Sequence, residues 1–67
     1  MRVKLYFAPF CPYCKMARDF LIQHGIDFEE INVQEDHAGA LEMIRKSGQT
    51  GVPVIDIDGK IIVGFDR

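Results

Sequence analysis

Two residues near the end of the chain, Asp58-Gly59, restrict its topology more than any other feature. They separate two short apolar runs, Val54 to Ile57 and Lys60 to Val63. Asp-Gly between such runs is a strong signal for a two-residue β-hairpin. Because a connection of two residues cannot carry a parallel crossover, the joined strands must be antiparallel. Any sheet that this chain forms therefore contains at least one antiparallel pair.

The residues before this hairpin predict alternating strands and helices. Val3 to Phe7 is apolar and β-prone, and Ile26 to Val33 alternates partly between apolar and polar residues, so both are predicted strands. Between them an amphipathic helix begins at Pro12, and Gly25 supplies its stop signal. Two strands joined by a helix predict a parallel, right-handed βαβ unit.

A second helix is predicted from about His37 to Ser47. Asp36 is its candidate N-cap, and Gly48 closes it. Its predicted apolar stripe consists of Ala40, Leu41 and Ile44. The order β-α-β-α-β-β predicts an α/β domain, a mixed four-stranded sheet with helices on its faces. With 67 residues, the chain has room for one small domain, residues 1–67.

The composition excludes several classes of function. With 48% hydrophobic residues and a net charge of −2, the chain is too apolar and too weakly charged for a disordered tail. It lacks the basic surplus of a nucleic-acid binder, and no apolar run approaches the roughly 20 residues that span a bilayer. We therefore expect neither a nucleic-acid nor a membrane partner. Since no export signal is visible, we expect a cytoplasmic location.

Cys11 and Cys14 lie where the first strand passes into the first helix. At the helix N-terminus, unpaired backbone N–H groups and the helix dipole stabilise an anion at Cys11, and the thiolate is the nucleophilic form of cysteine. Cys14 follows three residues later on the same helix face and points toward the core. This placement predicts thiol–disulfide exchange, in which Cys11 attacks a disulfide and Cys14 resolves the mixed disulfide.

Two other interpretations of the cysteine pair compete with thiol–disulfide exchange. A structural disulfide between Cys11 and Cys14 would close a very small loop and would constrain the unfolded chain little. A zinc site normally needs four ligands, and neither His24 nor His37 has a recognised ligand spacing to the pair. No metal ligand is therefore assigned.

Val52-Pro53 precedes the third predicted strand. Taken alone, the pair fits a trans proline at the first residue of a strand. Beside a Cys-x-x-Cys on a βαβ unit, a cis proline becomes the favoured interpretation. It would leave the N–H and C=O of Val52 free to pair with an extended substrate segment. Next to the cysteines, Phe10 either contacts a partner or shields Cys11.

Together, Cys11-Pro12-Tyr13-Cys14 between strand and helix, Val52-Pro53 before a hairpin, and Gly64-Phe65-Asp66 resemble the glutaredoxin family of the thioredoxin superfamily. The resemblance covers essentially the whole chain. It implies the thioredoxin fold with strand order 2-1-3-4, Cys11 as nucleophile, Cys14 as resolving thiol and Pro53 as the cis proline. It implies no bound cofactor, glutathione as reductant or co-substrate, and disulfide-containing proteins as partners. The residues it places along a glutathione groove are Pro12, Tyr13, Val52, Pro53, Gly64 and Asp66.

The sequence also departs from the family pattern. Ala8 stands where many glutaredoxins carry a lysine that helps to hold a glutathione carboxylate, and Gly51 stands where a threonine is frequent. Gly64-Phe65-Asp66 replaces the usual Gly-Gly-Asp. Its Gly-Phe pair is similar to the redoxins that feed electrons to ribonucleotide reductase and are reduced by thioredoxin reductase, so this reductant is the alternative to glutathione. Two functions of other classes stay open: an iron–sulfur or metal-binding module, and a non-catalytic interaction domain with a buried Cys11.

The resemblance also concerns the end of the chain. Glutaredoxins continue past this point into a final helix that packs on the same face of the sheet as the first helix. Here the sequence stops at Arg67, where that helix would begin. We therefore expect the native protein to continue beyond Arg67 as a monomer, or this form to cover its bare sheet face by self-association.

Overall fold

The computed structural model describes residues 1–64, which form one four-stranded sheet and two helices. The strand order is β2-β1-β3-β4, with β1 parallel to β2 and antiparallel to β3, and β3 antiparallel to β4. The predicted α/β class, mixed sheet and strand order 2-1-3-4 are confirmed, whereas the expected final helix lies outside the described residues. The elements are β1 (Val3–Phe7), α1 (Pro12–Gln23), β2 (Glu29–Asn32), α2 (His37–Ser47), β3 (Val54–Ile57) and β4 (Lys60–Val63).

The hairpin between β3 and β4 forms at the predicted residues. Asp58 and Gly59 both have positive φ angles, 50° and 92°, as a type I′ turn requires at its two central positions. The turn is also tied to the start of the chain, since the Asp58 amide donates to the Arg2 carbonyl over 2.9 Å. The Asp58 carboxylate in turn accepts the Arg2 amide over 2.6 Å.

The two helices cover opposite faces of the sheet, which gives the domain two apolar core clusters. On one face, Ala17 and Leu21 of α1 pack against Leu5 and Ile55 of the central strands. On the other face, Met43 of α2 packs with buried residues of the first three strands, Tyr6, Ile31 and Val54. Since α1 and α2 have 12 and 11 residues, neither is long and apolar enough to cross a membrane, and residues 1–64 contain no other helix.

The core-facing side of α2 differs from its predicted apolar stripe. Met43 is 2% exposed and Gly39 is buried, whereas Leu41 is 52% exposed and Ile44 also faces solvent. A Cβ atom on Gly39 would lie 2.5 Å from the Ile31 side chain of β2. The predicted stripe was rotated away from the sheet: it left out Met43, and Gly39 carries no hydrophobic signal in the sequence.

The second strand is shorter than predicted. It runs from Glu29 to Asn32 rather than from Ile26 to Val33, because β1 supplies pairing partners only from Lys4 to Phe7. The preceding apolar residues, Ile26 and Phe28, still pack against the α1-side cluster without joining the sheet. Phe20 on α1 is 40% exposed and lies against the His24 ring, with centroids 4.2 Å apart.

A polar network joins α2 to the sheet beneath it. The hydroxyl of fully buried Tyr6 donates to Glu42 and accepts a hydrogen bond from Lys46 Nζ over 2.9 Å. Lys46 Nζ also lies 2.6 Å from Asp56 Oδ2. The hydrogen bond to Asp56 is the main reason why the pKa of Lys46 is raised, and the same bond lowers the pKa of Asp56. Nothing in the sequence pattern predicted this network.

Candidate functional site

The sheet topology brings the cysteine pair and the Val52-Pro53 pair to the same end of the two central strands, β1 and β3. Tyr6 of β1 lies opposite Val54 of β3, and these two strands run in opposite directions. The residues that follow β1 therefore adjoin those that precede β3. Cys11 comes four residues after the end of β1, and Val52-Pro53 immediately precede β3. The predicted site is thus assembled from two segments that are distant in sequence.

Cys11 is the N-cap of α1. Its backbone is extended, with φ −104° and ψ 107°, and its Sγ accepts the backbone N–H of Cys14 over 3.2 Å. A cap of this kind directs a backbone N–H group and the positive end of the helix dipole toward the sulfur. Cys11 is partly exposed and is a free thiol. A substrate can therefore reach Cys11 at the start of the helix.

Cys14 lies behind Cys11 on the core side of α1. It is 4% exposed, and this burial, together with the hydrogen bond to Cys11, raises its pKa to about 11. A backbone hydrogen bond from Ala8 opposes the rise but does not cancel it. Cys14 is therefore a neutral thiol at physiological pH. The prediction that Cys14 is the less exposed of the two cysteines is confirmed.

The Val52–Pro53 peptide bond is cis, as the family resemblance implied. Pro53 is buried, and its carbonyl accepts the Gly64 amide over 2.8 Å, which places Gly64 beside it. Within residues 1–64, neither the amide nor the carbonyl of Val52 takes part in a hydrogen bond. An extended segment of another molecule could therefore pair with the Val52 backbone as an added strand.

Exposed residues flank Cys11 in the chain. Pro12 and Tyr13 belong to the first turn of α1, and Tyr13 is 58% exposed. Phe10, directly before Cys11, is fully exposed and has a left-handed backbone with φ 61°. The structure thus places Pro12, Tyr13, Val52, Pro53 and Gly64 at the edge of the sheet that carries the cysteines, whereas Asp66 lies outside the described residues.

Two contributions to this site were not predicted from the sequence. One is the backbone hydrogen bond from Ala8 to Cys14, which leaves no side-chain signal because any residue except proline could provide it. The other is the left-handed conformation of Phe10. This conformation is common for glycine and asparagine and rare for aromatic residues, so the sequence pointed away from it.

The histidines do not join the cysteine pair. His24 caps the C-terminal end of α1, and His37 begins α2. In the part of the chain from residue 1 to 64, no three His, Cys, Asp or Glu side chains come together as they would in a metal site.

Comparison with known proteins agrees with this geometry. The family model described as Glutaredoxin matches residues 3–62. A glutaredoxin-like 8.6 kDa protein encoded in the rubredoxin operon of Clostridium pasteurianum is 48% identical over 65 residues, which are 97% of this chain and 87% of that protein. Glutaredoxin 3 of Escherichia coli K12 is 41% identical over 64 residues, covering 96% of this chain and 77% of the relative.

Solved structures of similar proteins have the same architecture. The crystal structure of the thioredoxin-like protein BC3987 superimposes with a TM-score of 0.92 at 28% identity, covering 97% of this chain and 89% of the other. The NrdH-redoxin of Escherichia coli gives a TM-score of 0.84 at 30% identity, with 98% and 86% covered. A buckwheat glutaredoxin–glutathione complex gives 0.78 at 25% identity, with 92% and 59% covered.

Proposed function

Since this chain belongs to the glutaredoxin family, whose members are thiol–disulfide oxidoreductases, we propose that it reduces disulfides with Cys11 as nucleophile and Cys14 as resolving thiol. One observation carries this assignment. The Cys11 sulfur is accessible at the N-cap of α1 and accepts the Cys14 amide, while Cys14 itself is buried and neutral. The two thiols thus differ in exposure, and Cys14 is held back in its neutral form until Cys11 has reacted.

In the first step, the Cys11 thiolate attacks one sulfur of a substrate disulfide. A bond forms between Cys11 Sγ and that sulfur, the substrate S–S bond breaks, and the second substrate sulfur leaves as a thiolate that takes up a proton. The cap bond from the Cys14 amide supports the Cys11 thiolate before the attack. Cys14 does not compete for the substrate, because it is 4% exposed and protonated.

In the second step, Cys14 loses its proton and attacks Cys11 Sγ. A Cys11–Cys14 disulfide forms, and the remaining substrate sulfur leaves as a thiol after protonation. Over both steps, the two thiols of the protein give up two electrons and two protons, and the substrate disulfide becomes two thiols. Once Cys11 is in the mixed disulfide, it no longer bears the charge that helps to keep Cys14 protonated.

Substrates are held by the residues around Cys11. We assign Pro12, Tyr13 and Gly64 to the walls of the binding groove and buried Pro53 to its floor, where it fixes the position of Val52. The Val52 backbone, which has no hydrogen bond within residues 1–64, is assigned to strand-like pairing with the substrate. Asp66 belongs to the same proposed groove by resemblance. The substrates are disulfide-containing proteins and mixed disulfides of glutathione. The existence of a buckwheat glutaredoxin–glutathione complex with the same fold supports glutathione as a ligand.

The oxidised protein must be reduced again, and we propose glutathione as the reductant. Two glutathione molecules would supply the two electrons and leave as glutathione disulfide. Thioredoxin reductase is the alternative, supported by the likeness to an NrdH-redoxin that is described as a glutaredoxin-like protein with a thioredoxin-like activity profile. Ala8 in place of a lysine also favours this alternative, because it removes a cation from the proposed glutathione groove.

Turnover with defined reductants tests the proposal. The assay measures reduction of a glutathione mixed disulfide and of insulin, with either glutathione and its reductase or thioredoxin reductase as electron donor. We expect turnover with one donor, none in Cys11→Ser, and in Cys14→Ser retained activity on the glutathione mixed disulfide with loss of dithiol-dependent insulin reduction. No turnover with either donor, or full activity of Cys11→Ser, would show that the assignment is wrong.

A further inference from the structure

Phe10 is the most unusual residue near the site. Its side chain is 104% exposed, so the ring has essentially no contact with the rest of the protein. Its φ angle of 61° lies in the left-handed region, which is unfavourable for bulky side chains. A ring that covered Cys11 would lose exposed surface, so the alternative in which Phe10 shields the nucleophile is excluded. The Phe10 side chain makes no contact that offsets the cost of its exposed apolar surface or of its left-handed backbone.

The two segments that form the site around Cys11 are uncharged. Residues 8–14, which connect β1 to α1 and carry both cysteines, contain no charged side chain, and residues 49–54, which lead into β3, contain none either. The first charged residue after the cysteines is Lys15. Tyr13, on the other side of Cys11 in the chain, is also largely exposed. We call these two exposed aromatic residues that flank Cys11 in sequence, Phe10 and Tyr13, the aromatic rim.

We propose that Phe10 is a specificity-determining residue that selects disulfides flanked by apolar residues in an extended, uncharged protein segment. When such a segment pairs with the Val52 backbone and presents its sulfur to Cys11, its neighbouring side chains come to lie against the aromatic rim. Burial of an exposed aromatic ring is a strong source of binding energy at interfaces. Glutathione has no large apolar side chain that could bury the Phe10 ring, so its mixed disulfides would not gain from this contact. The inference rests on the proposed function of Cys11.

Two synthetic peptides and one small disulfide test the role of Phe10. Each peptide carries one cysteine as a mixed disulfide with 2-mercaptoethanol, flanked by leucine in one peptide and by serine in the other. Bis(2-hydroxyethyl) disulfide is the small reference substrate. The measured quantity is the second-order rate constant with the reduced protein, expressed as the ratio of each peptide to the reference, so that a general change in thiol reactivity cancels.

Phe10→Gly is the informative variant, because glycine adopts the left-handed conformation without steric cost. Phe10→Asn is a second variant that also tolerates it. Ile22→Ala is the matched control, since Ile22 is an exposed apolar residue of α1 that lies roughly 16 Å along the helix from Cys11. Thermal melting followed by circular dichroism verifies that all three variants are folded.

We expect the wild-type protein to react about tenfold faster with the leucine peptide than with the serine peptide, which corresponds to about 1.4 kcal/mol. Both Phe10 variants should lose this preference, and Ile22→Ala should keep it. An unchanged preference in folded Phe10→Gly, or the absence of a preference in the wild type, would overturn the role of Phe10 while leaving the function of Cys11 intact. If the wild type fails to react even with the reference disulfide, the proposed function itself is wrong and the inference falls with it.

Discussion

Substitution of Gly39 by alanine tests the packing of α2 on the sheet. On helix propensity alone, Gly39→Ala inside a helix should stabilise the protein by about 1 kcal/mol. In this fold, however, the new Cβ would lie 2.5 Å from Ile31 Cγ2 and 3.1 Å from the Asp36 carboxyl group. Ile31 is buried in the core, and Asp36 is the N-cap that accepts the Gly39 amide over 2.8 Å. Neither neighbour can move without loss of packing or of the cap.

The opposing contributions to the free energy of unfolding add up to a net destabilisation by Gly39→Ala. Overpacking of a core costs about 1–3 kcal/mol, and disturbance of an N-cap adds about 1 kcal/mol. After the gain in helix propensity is subtracted, Gly39→Ala should destabilise the protein by about 1–3 kcal/mol. For a domain of this size, that corresponds to a melting temperature roughly 5–20 °C lower. Urea unfolding and thermal melting, both followed by circular dichroism, measure the change.

Leu41→Ala is the matched comparison on the same helix. Leu41 is 52% exposed, so its truncation should cost less than about 1 kcal/mol. If α2 instead presented Leu41 to the core, the same truncation would cost about 2–5 kcal/mol, and Gly39→Ala would be stabilising. A melting temperature of Leu41→Ala well below that of Gly39→Ala would therefore show that α2 does not face the sheet with Gly39.

Three further predictions concern the buried polar and thiol groups. Lys46→Met removes the cation that lies 2.6 Å from Asp56 and hydrogen-bonds to Tyr6, so the free energy of unfolding should fall by about 2 kcal/mol. A melting temperature equal to that of the wild type would contradict it. The hydrogen bond to Lys46 lowers the pKa of Asp56 in the folded state, so this carboxylate stabilises the fold above its unfolded pKa of about 3.9 and loses that effect as the pH falls. Stability should therefore decrease more steeply below pH 4 in the wild type than in Asp56→Asn, and equal slopes in urea titrations would argue against it. Burial raises the pKa of Cys14 to about 11. Iodoacetamide at pH 8 should therefore modify Cys11 and leave Cys14 unmodified in the native protein, which peptide mass mapping would show. Modification of Cys14 at a rate similar to that of Cys11 would contradict this prediction.

Local signals in the sequence were sufficient for most of the fold. Asp58-Gly59 predicted the hairpin, because positive φ angles at both central positions suit these residues. The helix limits followed from Pro12 at the start of α1 and from Asp36 and Gly48 around α2. In each case, the signal depends on the residue and its near neighbours in the chain. The strand order depended on the family resemblance, since periodicity does not tell which strands lie side by side.

The predictions that failed depend on contacts between distant residues. The apolar stripe of α2 was misplaced, because the distance between Gly39 and Ile31 is set by how closely the helix approaches β2. The Tyr6–Glu42–Lys46–Asp56 network joins residues up to 50 positions apart in the chain and has no periodic signature. At the site, the cysteine positions were predictable, whereas the full exposure and left-handed backbone of Phe10 were not.

The central claim is that Cys11 attacks and Cys14 resolves, and intact-mass spectrometry of trapped intermediates tests it most directly. Reduced wild-type protein and Cys14→Ser are each treated with glutathione disulfide, quenched in acid and weighed. We predict that the wild type becomes two hydrogen atoms lighter, with an internal disulfide between its two cysteines. Cys14→Ser should retain one glutathione, attached to Cys11. A stable glutathione adduct on the wild type, or no adduct on Cys11 in Cys14→Ser, would contradict the account.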